Sequence, residues 1–130
     1  MEQVLADLIA TFASANGTGL GFGFTLSKKL LEARLLSVEF TTQAVFCCSE
    51  DALFGAITTE PYPRGDYVAR LVANRICKAI DQINSEGGTR FLLELQSSDF
   101  ERASSLLLPL YGVGPKFVEN YCILAGIAYP

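Results

Sequence analysis

The stretch whose residues could do chemistry lies near the C-terminus: Leu110-Tyr111-Gly112-Val113-Gly114-Pro115-Lys116-Phe117-Val118. An apolar run ends at Pro109, two glycines bracket Val113, and an amphipathic run restarts at Pro115. That order reads as helix, tight hairpin, helix. Glycine tolerates the positive φ of such a hairpin, and proline suits the first turn of a helix, where its missing N–H costs nothing. Val113 is expected to point back and staple the two helices. The N–H groups of Gly112, Gly114 and Lys116 then face outward at a helix N-terminus. Such groups make an anion site, and the natural anion is a phosphate.

The stretch resembles the helix-hairpin-helix DNA-binding motif, with Leu110, Gly112, Val113, Gly114, Lys116 and Val118 in its places. The resemblance implies sequence-independent contact with a nucleic-acid backbone and no particular reaction. The simpler alternative is a Gly-rich turn between two core helices.

The elements that must position this stretch are bounded by composition. A chain of 130 residues, half of them hydrophobic, is expected to form one domain, 1–130, with one core. No apolar run approaches the roughly 20 residues that span a bilayer. The N-terminus carries Glu2 and Asp7 where a signal peptide would be basic. A cytoplasmic protein without membrane contact is the expectation. The four cysteines, Cys47, Cys48, Cys77 and Cys122, show no C-x-x-C spacing, and histidine is absent. No metal and no cofactor is expected; the thiols read as buried and free. Without histidine there is no Ser–His or Cys–His nucleophile. The net charge of −4 runs against DNA binding, which usually needs a basic surface. A local patch could suffice, because fields are local at physiological salt. Arg64, Arg70, Arg75, Lys78, Arg90, Arg102 and Lys116 could contribute to one.

Taken in order, Val4, Leu5, Leu8, Ile9 and Phe12 predict a helix from Met1 to about Ala15, stopping at Asn16-Gly17. Gly17 to Phe24 alternates glycine with larger residues but fits no phosphate-loop pattern. It reads as a loop or irregular strand. Ser27 to Leu36 reads as a short helix capped by Ser27, with Leu31 and Leu35 inward. Val38 to Phe46 reads as a strand, although a buried helix fits nearly as well. Ser49-Glu50-Asp51 opens a short helix that ends before Pro61. Asp66 is expected to cap the clearest helix, with Val68, Leu71, Val72, Ile76, Ala79, Ile80 and Ile83 as its stripe and Gly87-Gly88 as its end. A helix over Thr89 to Gln96 follows. Ser98 and Glu101 read as a capping box for the first hairpin helix. The second hairpin helix runs from Pro115 to about Ala125. The fold class expected is mainly α: a helical single domain with a C-terminal helix-hairpin-helix and at most a small β element in the N-terminal half.

Tyr67 to Pro130 resembles part of the helix-hairpin-helix superfamily of DNA base-excision glycosylases, closest to the 8-oxoguanine type. The likeness runs through Tyr67-Val68-Ala69-Arg70, Gly87-Gly88, Phe91-Leu92-Leu93-Glu94-Leu95, Ser98 to Ala103, Leu107-Leu108, Gly112 to Lys116, and Cys122. Residues 1–60 carry no such resemblance. In that family the motif lysine can attack the sugar C1′ and form a Schiff base. The resemblance thus makes Lys116 the candidate catalytic residue. The family's catalytic Asp falls past Pro130, so this segment does not supply it. Asp99 and Glu119 do not replace it in the pattern.

Three functions are therefore expected, in order. The first is DNA-backbone binding by a glycosylase-like domain, with no reaction, in a DNA-repair setting. The second is a minimal DNA glycosylase or AP lyase that uses Lys116 and a carboxylate recruited from the first half. The third is a protein-interaction or structural module, with a protein partner or a second copy, that no longer binds DNA.

Overall fold

A computed structural model describes residues 1–14 and 18–128. Among these are seven helices and a two-stranded antiparallel sheet: α1 (Glu2–Ala13), α2 (Leu20–Glu32), β1 (Leu36–Glu39), β2 (Ala44–Cys47), α3 (Glu50–Ile57), α4 (Gly65–Ser85), α5 (Thr89–Gln96), α6 (Phe100–Leu107) and α7 (Pro115–Ala125). The mainly helical class with a small β element is as expected from the sequence.

Helix α1 is the centre of the molecule. Nearly all of it from Val4 to Ala13 is buried, and α2, α4, α5, α7 and β1 pack around it. Leu5 and Ile9 are fully enclosed; each such side chain contributes about 1.5–3 kcal/mol of transfer free energy. Buried polar groups on α1 bond to its own carbonyls: Thr11 Oγ1 donates to Asp7 O at 2.6 Å and Ser14 Oγ to Ala10 O at 2.6 Å. The expected stop at Asn16-Gly17 lies outside the described residues.

The glycine-rich stretch is the first correction. From Leu20 on it is helix rather than loop or strand: Gly19 (φ +90°) is the N-cap of α2, and Gly21, Phe22, Gly23 and Phe24 lie within it, while Gly17 is outside the described residues. One of these glycines serves packing, while Gly19 and Gly21 face open space. A Cβ at Gly23 would collide with the Ser14 side chain and the Ala10 carbonyl, so only glycine lets α2 approach α1 this closely. Ser27 is accordingly no N-cap. It sits buried mid-helix and donates to Ala6 O at 2.7 Å, joining α2 to α1. Leu26 and Leu30 are buried, while Leu31 and Leu35 are only half-buried.

The single strand expected over Val38 to Phe46 is a β-hairpin. Its register pairs Leu36 with Cys47 and Glu39 with Ala44. The chain reverses through Phe40 to Gln43, with Gln43 at φ +57°. This hairpin docks on the joint between α4 and α5. Asn84 receives Val45 N–H at 2.8 Å and donates to Val45 O at 3.0 Å. Thr89 N–H donates to Gln43 O at 3.0 Å. Gly88 (φ +62°) leaves room for that carbonyl.

Helix α3 begins as expected, Ser49 Oγ accepting from Ala52 N. Two caps differ. Helix α4 begins at Gly65, with Asp66 inside its first turn rather than at the cap. The Ser98/Glu101 box does not form: Asp99 caps α6 by accepting from Arg102 N at 2.9 Å, and Ser98 Oγ turns back to Leu95 O. A carboxylate one residue later, nearer the helix start, wins the capping position.

Two measurements probe the α1–α2 pair. Gly23→Ala is expected to destabilise the fold by about 1–3 kcal/mol through overpacking, seen as a lower urea midpoint. Asp7 is buried and accepts from Gln3 Nε2 at 2.9 Å. Burial pushes its carboxyl up, partly opposed by the Gln3 bond. A raised carboxyl stabilises the fold below its unfolded value and loses that contribution as pH rises through the folded value. Asp7→Asn, which keeps the acceptor, is expected to be more stable than wild type at neutral pH. The difference should vanish near about pH 3 in thermal melts across pH.

Candidate functional site

The hairpin stretch folds as its residues dictate. Helix α6 ends at Leu107, the chain turns through Leu108 to Gly114, and Pro115 opens α7 at its first position. Gly112 has φ +76°, which glycine adopts without strain. Val113 N–H donates to Leu110 O at 3.2 Å, closing the turn. Leu110 is buried and Val113 is partly buried against the core, the stapling position expected. The first ladder bond of α7 runs from Val118 N to Gly114 O. The N–H groups of Lys116 and Phe117 precede it at the helix start, where no intrahelical acceptor exists.

Two neighbours hold this turn. On one side Phe117 packs on Phe12 of α1, ring centroids 4.6 Å apart, and Val118 and Tyr121 are buried beside it. Burial, then the nearby Asp7 carboxylate, pushes the Tyr121 phenol up. On the other side α4 grips the turn. Gln82 accepts the Tyr111 N–H on its carboxamide oxygen and donates to Pro109 O at 3.4 Å. Lys78 Nζ lies 4.4 Å from the Tyr111 ring centroid. The aliphatic part of Arg75 lies against Gly112, 3.3 Å from where a Cβ would stand. Sequence reasoning missed Gln82 and Tyr111. The signal was faint: Gln82 follows Lys78 by four positions and Arg75 by seven, one helical face.

The turn opens onto a groove of about 600 Å³ bounded by Thr11, Ser14, Gly19, Leu20, Gly112, Gly114, Pro115, Lys116, Phe117 and Asn120. Lys116 is 82% exposed and meets Glu119 at 3.5 Å. No Asp or Glu is among the described residues lining the groove, and Asp7, the buried carboxylate of α1, is not one of its walls.

The seven cations considered above do not form one patch. Arg70 is engaged by Asp51 at 2.8 Å and Glu50 at 3.5 Å, and lies over the Phe54 ring. Arg102 pairs with Glu94 at 2.9 Å and lines, with Arg90, a second cavity of about 570 Å³ among α4, α5, α6 and the hairpin residues Pro109 and Leu110. Arg75 and Lys78 contact the hairpin, and Lys116 belongs to it. Among the described residues no group of three His, Cys, Asp or Glu could hold a metal ion. No helix there is long and apolar enough to cross a membrane.

No protein-family model, curated protein or solved structure matches this chain significantly.

Gln82→Ala removes both side-chain bonds to the turn. It is expected to cost about 0.5–1.5 kcal/mol and to accelerate hydrogen exchange at the Tyr111 amide selectively. Unchanged exchange there would mean that Gln82 does not hold the turn.

Proposed function

We propose that the chain binds nucleic-acid backbone without regard to base sequence, through the α6–α7 hairpin, and that it does so as a glycosylase-like domain. The observation that carries this reading is the turn itself. Gly112, Val113 and Gly114 present the start of α7 to an open groove, with Lys116 exposed beside it and Arg75 and Lys78 against its other side. Backbone N–H groups and a helix dipole favour an anion there; Arg75 and Lys78 beside the turn add positive charge, while Lys116 shares its charge with Glu119. DNA is the partner proposed.

Binding rather than catalysis is favoured by the setting of Lys116. A Schiff-base nucleophile needs its amine shielded or its proton taken by a base. Lys116 is open to solvent and pairs as an ion with the Glu119 carboxylate. That arrangement suits a lysine that exchanges Glu119 for a phosphate.

Fluorescence anisotropy on labelled duplex and single-stranded DNA, at low and physiological salt, tests the proposal. Binding should weaken as salt rises. Lys116→Ala should weaken it about 3- to 10-fold and lower the salt slope by roughly one contact. Borohydride should trap no adduct on abasic-site DNA. A trapped adduct lost in Lys116→Ala would make the chain a lyase. No binding even at low salt would overturn both DNA readings and favour a protein-interaction module.

A further inference from the structure

We propose that Cys47 and Cys77 are a dithiol pair that oxidises to an intramolecular disulfide, locking the β-hairpin to α4. Cys47 ends β2, and Cys77 lies on α4, thirty residues later. Their sulfurs are 3.7 Å apart. A disulfide needs about 2.05 Å, so the two must approach by about 1.7 Å. Both side chains are partly exposed, so a small oxidant can reach them. The surrounding contacts already fix the approach. Asn84, two turns further along α4, holds Val45 of the same strand by two hydrogen bonds. Cys77 Sγ also lies 3.7 Å from the Cys48 carbonyl oxygen, which keeps the thiol directed at the strand. The bond would close a loop containing all of α3 and the turn before α4.

A hydroperoxide supplies the oxidising equivalents. One thiol, as thiolate, attacks a peroxide oxygen and releases hydroxide, which takes up the thiol's proton to become water. The sulfenic acid formed is then attacked by the second thiol, and a second water leaves. Two thiols and one hydrogen peroxide thus give one disulfide and two waters. Burial pushes both thiols up, so the first step is slow at neutral pH and the bond is a slow lock rather than a rapid sensor.

The test is overnight treatment of the reduced chain with hydrogen peroxide, followed by mass spectrometry and thermal melting. The expected result is a monomer lighter by about two mass units, with the tryptic peptide Ile76–Lys78 joined to the peptide that carries Cys47. Its Tm should rise by about 10 °C, reversibly with dithiothreitol, because the closed loop constrains the unfolded chain. Cys48 shares the tryptic peptide of Cys47, so Cys48→Ser assigns the bond: it should still form there, and should not form in Cys47→Ser or Cys77→Ser. A bond from Cys48, a bond between chains, sulfinic acid without a bond, or unchanged mass would each overturn the proposal. Mapping on the wild-type chain keeps the test decisive if a serine variant fails to fold.

Discussion

A helix buried around most of its circumference can carry polar groups only where they bond at once, and α1 is built on that constraint. Thr11 and Ser14 turn back to carbonyls one turn earlier. The Ala6 carbonyl takes a second donor, Ser27, from α2. An unpaired donor in this position would cost about 1–3 kcal/mol, and no buried side-chain nitrogen or oxygen among the described residues lacks a partner. The rest of the molecule takes its place from this satisfied core. Helix α2 lies close because Gly23 carries no side chain. Helix α7 lies where Phe117 meets Phe12. The hairpin preceding α7 therefore inherits its position from α1, at the other end of the chain.

That dependence bears on which parts of the molecule were legible in the sequence. The boundaries of α5, Thr89 and Gln96, are legible because Gly88 before it and the Phe91-Leu92-Leu95 pattern within it are local signals. The α6–α7 turn was legible for the same reason: Gly112 and Pro115 each act on their own backbone. The stretch from Gly19 to Phe24 was not. Its glycines look like loop residues, and intrinsic propensity disfavours them in a helix by about 1 kcal/mol each. Gly23 is helical because α1 packs too close to leave room for a side chain there, a contact no local pattern shows. The β-hairpin turn was hidden likewise. Phe40-Thr41-Thr42-Gln43 holds no glycine or proline, and Gln43 is held in a left-handed conformation in a turn that docks on Thr89.

The candidate site divides in the same way. Leu110, Gly112, Val113, Gly114 and Lys116 could be named from the resemblance to the helix-hairpin-helix motif. The α4 residues that grip them could not, because the contact between Gln82 and Tyr111 joins positions on different elements. Nor could spacing separate the cations. Arg70 and Arg102 look as available as Arg75 in the sequence, yet each is committed to carboxylates. An overall charge of −4 is thus a poor guide to the field at the hairpin. Arg70 with Glu50 and Asp51 leaves one negative charge on a remote face and Arg102 with Glu94 none, while Lys78 and Arg75 stand against the turn with an aromatic ring and a glycine as neighbours.

A phosphate clamp made of backbone N–H groups has little side-chain chemistry to rely on, so its affinity depends on how little the loop must reorder when the anion arrives. Seven residues between α6 and α7 would be a mobile connection if nothing held them. Here the turn is closed by Val113 on Leu110, tied to α4 through Gln82, and seated on α1 through α7. Its entropy is lost on folding rather than on binding. Rigidity of that kind serves a site that recognises the regular spacing of a backbone. It serves poorly a site that must close over a substrate and then open for product release. On the proposed backbone-binding role, a turn held this firmly and a lysine this exposed fit together, the lysine acting as a charge and not as a nucleophile.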